Sequence, residues 1–280
     1  MVVTPPTLTD QASGSGVPVT LTIAGSEATG GAGAQADLKT FQALGTFGMV
    51  ALTCIVSFDP KADWGHRFVP VDPGVIADQL EAQFACYTVD AVKIGMLGTP
   101  TTIDTVAGAL TDLGDARPTH VVVDPVLICK GQEPGAALDT DNALREQIQP
   151  LATFVTPNHF EAMALSGMDA IEGIEDLQEA ARRIHEASGA VVLAKGGVRL
   201  AGPEALDVFY DGSRMEVLAG DKVGEVAVSG AGCTLAAAVT AELAKGSEPL
   251  EAARVAKAFV TRAIEGRMPS NAPFDAVRQA

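Results

Sequence analysis

From residue 19 onward, short apolar runs alternate with amphipathic stretches. VTLTIAG (19–25), MVALTCIV (49–56), VDAVKIG (89–95), HVVVDPV (120–126), TFVTPN (153–158) and AVVLAKGG (190–197) are rich in β-branched residues and carry turn residues at or beside their ends. That is the pattern of strands buried on both faces. Segments 32–45, 76–84, 99–113, 139–149, 158–166 and 174–187 lie between them and read as helices; in the first, Leu38, Phe41 and Leu44 share a face. Strand–helix alternation over this length predicts an α/β fold, a three-layer αβα sandwich with a mostly parallel central sheet. ALDVFYDGSRMEVL (205–218) differs, because two β runs flank Asp211-Gly212, a hairpin turn signal. Two Ala-rich helices, 231–245 and 248–266, close the chain, with Gly246 placed to end the first. Residues 1–17 are rich in Pro, Thr, Ser and Gly and read as a disordered tail; 18–280 shows no linker or repeat and reads as one domain. Ligands of open α/β sheets bind beyond the carboxyl ends of the strands, so function is sought there.

Composition narrows the choice of function. The 280 residues are 47% hydrophobic and 19% charged, enough apolar material for a packed core. A net charge of −16 excludes a general nucleic-acid binder and docking on an anionic membrane. An anionic substrate would need a local device, such as a metal ion or a helix N-terminus. The first residues carry no basic start, and no apolar run approaches about 20 residues, so neither a secretion signal nor a membrane span is expected and the location read is cytoplasmic. Cys54, Cys86, Cys129 and Cys233 form no CxxC pair, and each reads as a small buried hydrophobe in a reducing compartment.

Three sets of residues carry chemistry. The first is Gly25-Ser26-Glu-Ala-Thr-Gly30-Gly31-Ala-Gly33, between a strand and a helix, where glycines permit close backbone approach and a helix start presents free N–H groups. Gly31, Gly33 and Ala36 fit the dinucleotide fingerprint, but residues intervene after the strand and no acidic residue ends the next strand at the required spacing. The second is Val228-Ser229-Gly230-Ala231-Gly232-Cys233-Thr234 before a small-residue helix. Such a turn makes an anion hole of backbone N–H groups, and a cysteine in that first turn is expected to favour its thiolate. A thiolate there is placed to take a proton from an alcohol during phosphoryl transfer; a buried structural cysteine is the plainer alternative. The third set ends strands. Asp124 and Glu161 have the chemistry to hold Mg2+ through water, and Asn158 to reach a phosphate. Taken singly, Asn158 and Glu161 also fit a helix cap. Lys195-Gly196 ends a strand with a cation and free backbone, and Lys93 sits inside an apolar strand pattern.

Taken in order, the TIAG strand, GGAGAQADLKTF, GMVALT, VDAVKIGML, VVVDPV, TPNHFEA, KGG and GAGCTLAAAVTAELAKG resemble the hydroxymethylpyrimidine kinases and their pyridoxal kinase relatives in the ribokinase-like superfamily. The resemblance covers about residues 19–266. IVSFDP, Trp64, His66 and VDPVLICKG make it strongest toward bacterial pyridoxine/pyridoxal kinases of the hydroxymethylpyrimidine-kinase-like type. It implies ATP- and Mg2+-dependent phosphorylation of a hydroxymethyl group on a small aromatic heterocycle by a homodimer. By the same resemblance, Cys233 takes the place of the catalytic base. Gly25, Ser26, Asp37, Phe58 and Val126 contact the substrate ring, and Asp124, Asn158 and Glu161 serve metal and phosphate. Lys195, Gly196, Asp207, Gly230, Ala231 and Gly232 serve the nucleotide, and Cys129 matches a lid cysteine that traps the pyridoxal aldehyde. Phe58 stands where the pyrimidine kinases usually carry Gln, which removes a partner for the amino-pyrimidine and tilts the expected substrate to pyridoxal or pyridoxine. Glu27 replaces a common Asp, and Ser229 a common His. The rivals are a hydroxymethylpyrimidine kinase, a non-catalytic ligand-binding regulator of the same fold, and an NAD-dependent oxidoreductase.

Overall fold

A computed structural model describes residues 16–127 and 134–280 of the chain, with only the backbone for 134–138. Cys129, and residues 1–15 of the expected tail, lie outside the described residues. In chain order the elements are β1 (Val19–Glu27), α1 (Gly33–Ala43), β2 (Phe47–Asp59), β3 (Gly65–Pro70), α2 (Pro73–Cys86), β4 (Ala91–Ile94), α3 (Pro100–Asp112), β5 (His120–Val123), α4 (Pro134–Ala143), β6 (Phe154–Val155), α5 (His159–Ser166), α6 (Ile174–Ser188), β7 (Val191–Lys195), β8 (Glu204–Tyr210), β9 (Met215–Asp221), α7 (Ala231–Ala244) and α8 (Pro249–Glu265). Among the described residues, nine strands form one sheet in the order β3-β2-β1-β4-β5-β6-β7-β8-β9. The strands from β2 to β7 in that order run parallel; β3 is antiparallel to β2, and β8 and β9 extend the other edge as an antiparallel pair.

Period-two alternation along the strands distributes side chains to two helical layers. Val121 and Val123 pack with Ile76 of α2, Ile103 of α3 and Leu177 of α6, whereas Val122 between them packs with Leu235 and Val239 of α7 and Phe259 of α8. Phe41 of α1 joins that second layer against Ala237 and Ala241. Alternation also sends Thr22 of β1 and Lys93 of β4 to the α7 side, since Leu21, Ile23, Val92 and Ile94 face the other layer. The alanines of α7 let it lie close over these polar groups. β1 is flanked by β2 on one side and β4 on the other, so the chain reverses its direction of travel across the sheet at that crevice, where α/β folds bind ligands.

Three details depart from the sequence pattern. β3 was not anticipated: it is an edge strand, mostly exposed, that exists through pairing with β2 from Cys54↔Pro70 to Asp59↔Gly65. The helix expected at 139–149 begins at Pro134 and passes into a π-helical turn at Leu144–Ile148; proline in a first turn forfeits no hydrogen bond. Cys86 is exposed rather than buried, because it ends α2 on the solvent side. No helix among the described residues is long and apolar enough to cross a membrane.

Candidate active site

A cavity of about 790 Å³ opens at the carboxyl ends of the parallel strands. Of the residues singled out in the sequence, Phe58, Asp124, Val126, Asn158, Glu161, Lys195, Gly196, Asp207, Gly230, Ala231, Gly232 and Cys233 line it. Gly25, Ser26 and Asp37 do not.

The start of α7 forms one wall. Gly230 precedes the helix with φ +82°, and the carbonyl of Gly31 lies where any Cβ on Gly230 would stand. The two glycine-rich stretches therefore meet face to face, an approach that only glycine permits at Gly230. A Cβ at Gly232 would come within 3.4 Å of Lys195 Nζ and 3.7 Å of Asp124 Oδ2, so the first turn of α7 sits over that pair. Among the described residues no acceptor reaches the N–H groups of Gly232 and Cys233. Free N–H groups at the positive end of a helix of this length suit an anion.

The two glycine stretches divide the labour differently from their sequence appearance. In the first, the Glu27 carboxylate accepts hydrogen bonds from Thr29 N (2.7 Å), Thr29 Oγ1 (2.7 Å), Gly31 N (3.1 Å) and Ala32 N (3.2 Å). The N–H of Gly33 is directed to Cys233 Sγ. The donors expected to be open to an anion are thus already used, and the loop serves as a shelf beneath the α7 turn. Ser26 faces Gln35, whose Nε2 donates to its Oγ at 2.7 Å, and Gly25 packs on Cys54.

Behind the cavity lies a buried ion pair. Lys93 Nζ is 2.8 Å from Asp37 Oδ2, both side chains fully buried, and Thr22 Oγ1 donates to the same oxygen at 2.6 Å. Asp37 Oδ1 is buried without a hydrogen-bond partner among the described residues. Burial pushes the Asp37 carboxyl above the usual range, and Lys93 and Thr22 offset this only in part. Burial also opposes the charge on Lys93, but Asp37, Cys233 and Asp124 outweigh it and hold the ammonium protonated. Burial pushes the Cys233 thiol up to about 11; Lys93 and the Gly33 N–H act in the opposite direction, while the Asp37 and Asp124 charges add to the rise. This corrects the expectation of a thiolate. The helix terminus does not overcome desolvation, and the resting group is the neutral thiol.

On the cavity floor, Lys195 Nζ is 3.1 Å from Asp124 Oδ1, which also accepts from Thr156 Oγ1 at 3.3 Å. Burial alone would raise Asp124, but Lys195 and Lys93 hold it below the usual carboxylate range. Asn158 and Glu161 form the capping box of α5: Asn158 Oδ1 accepts from Glu161 N at 3.0 Å and Glu161 Oε2 from Asn158 N at 2.8 Å. Burial drives the Glu161 carboxyl up to about 8, with the Asp124 charge adding to it and Lys195 opposing. Two carboxylates thus share one electrostatic environment. At the far end, Asp207 accepts from Gly196 N at 3.2 Å through Oδ1 and pairs through Oδ2 with Lys257 of α8 at 2.7 Å. Both of its oxygens are engaged, so it fixes the backbone after β7.

The opposite end is aromatic. Phe58 packs edge-on to His66 (ring centroids 4.8 Å apart) and tilted on Phe274 (4.8 Å). Lys257, Phe274 and the role of Glu27 had no signature in the sequence; His66 stood out only within the resemblance. Lys257 and Phe274 act through partners distant in the chain, Asp207 and Phe58, whereas Glu27 acts on its own loop and His66 across the β2–β3 hairpin.

This combination of fold and site defines a class. The family model for phosphomethylpyrimidine kinase matches residues 27–277, and the chain belongs to that family, within the ribokinase-like fold. Among individual proteins it is 47% identical to the pyridoxine kinase of Bacillus subtilis (strain 168), over 90% of this chain and 92% of that protein. It superposes on the Bacillus subtilis pyridoxal kinase in an ADP complex with a TM-score of 0.87 at 45% identity, covering 94% of this chain and 97% of the other. It also superposes on the pyridoxal kinase of Staphylococcus aureus in complex with AMP-PCP and pyridoxal, with a TM-score of 0.85 at 40% identity and 94% and 93% coverage. Relatives named as hydroxymethylpyrimidine/phosphomethylpyrimidine kinases are more distant.

Proposed function

We propose that the protein transfers the γ-phosphoryl group of ATP to the 5′-hydroxymethyl oxygen of a vitamin B6 vitamer, giving pyridoxal 5′-phosphate and its pyridoxine and pyridoxamine counterparts. The observation that carries this reading is the meeting of three features in one cavity: unpaired N–H groups at Gly232 and Cys233, the Cys233 sulfur in the same turn, and the Phe58–His66 aromatic wall. The ligands of the relatives agree, being ADP, AMP-PCP and pyridoxal.

In the transfer, the vitamer oxygen forms a bond to Pγ as the bond from Pγ to the ADP oxygen breaks, and the hydroxyl proton leaves. Such a transition state is loose, so positioning and charge neutralisation outweigh base strength. The free N–H groups of α7 and the Lys195 ammonium stabilise the moving phosphoryl charge. The hydroxyl proton passes to the Cys233 sulfur when that group is in its thiolate form, which the Lys93 ammonium favours against burial; the resting thiol first gives up its own proton to solvent. Asp207, by holding Gly196 and Lys257, orders the nucleotide end of the cavity.

Mg2+ fits the donor set. Asp124 and Glu161 are hard oxygen ligands at one cavity wall, each with an oxygen not engaged by another protein group among the described residues. No cluster of three or more metal-ligating side chains occurs among the described residues. Two carboxylates match an ion that keeps its waters and shares substrate phosphates. When bound, the ion would neutralise phosphate charge. The homodimer and the cytoplasmic location belong to this reading on the ground of the family resemblance. The test is ADP release with pyridoxal, pyridoxine, pyridoxamine and hydroxymethylpyrimidine in parallel. The reading expects kcat/KM to be highest for a vitamer; a preference for the pyrimidine, which has no hydrogen-bonding partner at Phe58, would overturn the substrate assignment.

A further inference from the structure

The last residues of the chain return to the site. After α8, Met268 and Ala276 pair through Met268 N to Ala276 O (2.8 Å) and Ala276 N to Met268 O (3.1 Å). The segment is then stitched to the loop before α7: Ser229 N donates to Asp275 O (2.9 Å) and Val277 N to Ser229 O (3.0 Å). Gln279 Nε2 adds a bond to Thr234 Oγ1 at 2.9 Å. Ser229 immediately precedes Gly230, so the strap is tied to the turn that presents the free N–H groups.

Phe274 is carried on this strap, and its ring lines the cavity. Its centroid lies 4.8 Å from Phe58 and 6.3 Å from Trp64, nearly perpendicular to the indole at 83°. Asp63 and Trp64 have φ of +50° and +58°, a left-handed conformation that is unfavourable for side chains of this kind. Such strain persists where the surroundings fix it, often beside a ligand site. Here the β2–β3 turn fixes it, through Trp64 N to Asp59 O (2.9 Å) and Gly65 N to Ala62 O (2.9 Å). Phe58 and His66 come from the β2–β3 hairpin and Phe274 from the opposite end of the chain, so the aromatic pocket has walls from two separate elements. Rings in contact with one another in this way offer one contiguous aromatic surface for a planar heteroaromatic substrate to pack against.

We propose that Phe274 is a specificity-determining residue that completes the acceptor-ring pocket, and that the C-terminal strap sets the distance between the ring pocket and the α7 turn. This rests on the vitamer kinase reading. Removing one aromatic wall weakens ring binding by about tenfold, the worth of losing one face of aromatic packing. It leaves the nucleotide end, more remote on the cavity floor, unchanged.

The test uses Trp64, the single tryptophan of the chain, as an internal reporter. Pyridoxine, which absorbs in the range of indole emission, is titrated without ATP into the wild-type protein, Phe274→Ala and Phe274→Tyr, and the KM values for pyridoxine and ATP are measured separately. The expected result is quenching in all three, a Kd about tenfold weaker in Phe274→Ala, near-wild-type binding in Phe274→Tyr, and ATP KM within about twofold throughout. Equal pyridoxine Kd and KM in the wild type and Phe274→Ala would overturn the assignment of Phe274. Loss of ATP and vitamer binding together would show a purely structural role and overturn it as well. Absence of pyridoxine binding and turnover in the wild type would instead remove the kinase reading beneath it.

Discussion

Replacing Lys93 by Met removes the charge of a fully buried pair while keeping most of the side-chain stem. Asp37 then retains one hydrogen bond, from Thr22 to Oδ2, and still has no partner on Oδ1 among the described residues. Stranding one member of a buried pair costs about 3–5 kcal/mol, a large part of the roughly 5–15 kcal/mol that holds a domain together. The penalty has a ceiling, because Asp37, already pushed upward by burial, can take up a proton. A carboxyl whose folded-state pKa is raised above its unfolded value contributes fully below the unfolded value. That contribution is lost as pH rises toward the folded one, at up to about 1.4 kcal/mol per pH unit for one proton. Without Lys93, which acts to lower it, the Asp37 carboxyl rises further than in the wild type, so the destabilisation of Lys93→Met should be larger at pH 8 than at pH 5. In the double variant Asp37→Asn/Lys93→Met it should shrink and lose its pH dependence. Urea unfolding followed by circular dichroism at both pH values measures this. A loss under about 1 kcal/mol, or one equal at the two pH values, would refute the claim that Asp37 depends on Lys93 for its charge.

Two further outcomes follow from the same geometry. Glu27→Ala leaves the N–H groups of Gly31 and Ala32 without their acceptor and should cost about 2–4 kcal/mol, with a lower kcat because the Gly31 carbonyl supports Gly230; Glu27→Gln should lose less. Thermal unfolding and steady-state kinetics check both. Iodoacetamide at pH 7.5 should label the exposed Cys86 well before Cys233, whose labelling rate should climb as pH approaches about 11, read by peptide mass mapping. Equal rates at pH 7.5 would contradict a half-buried neutral thiol.

Much of the architecture is visible in local pattern. Uninterrupted β-branched runs such as HVVV specify strands buried on both sides, and Asp211-Gly212 specifies the β8–β9 hairpin. β3 escaped because Gly65–Pro70 carries little alternation and owes its form to β2. The site divides along the same line. Gly230–Cys233 is contiguous, so its turn of free N–H groups is evident in one short string. The pairing of Lys93 with Asp37, 56 residues apart, is created only by the side-by-side placement of β4 and β1 under α1. Phe274 reaches Phe58 only after the chain has wrapped round the sheet. The helix position of Cys233 is local and points to a thiolate, whereas the burial that dominates its thiol is assembled from several elements.

The central claim is tested most directly by single-turnover transfer from γ-labelled ATP to pyridoxal, comparing the wild-type protein with Cys233→Ala. The account predicts labelled pyridoxal 5′-phosphate from the wild type, and a loss of most of the transfer rate in Cys233→Ala with ATP affinity near wild type. Transfer at the wild-type rate without the sulfur would contradict it.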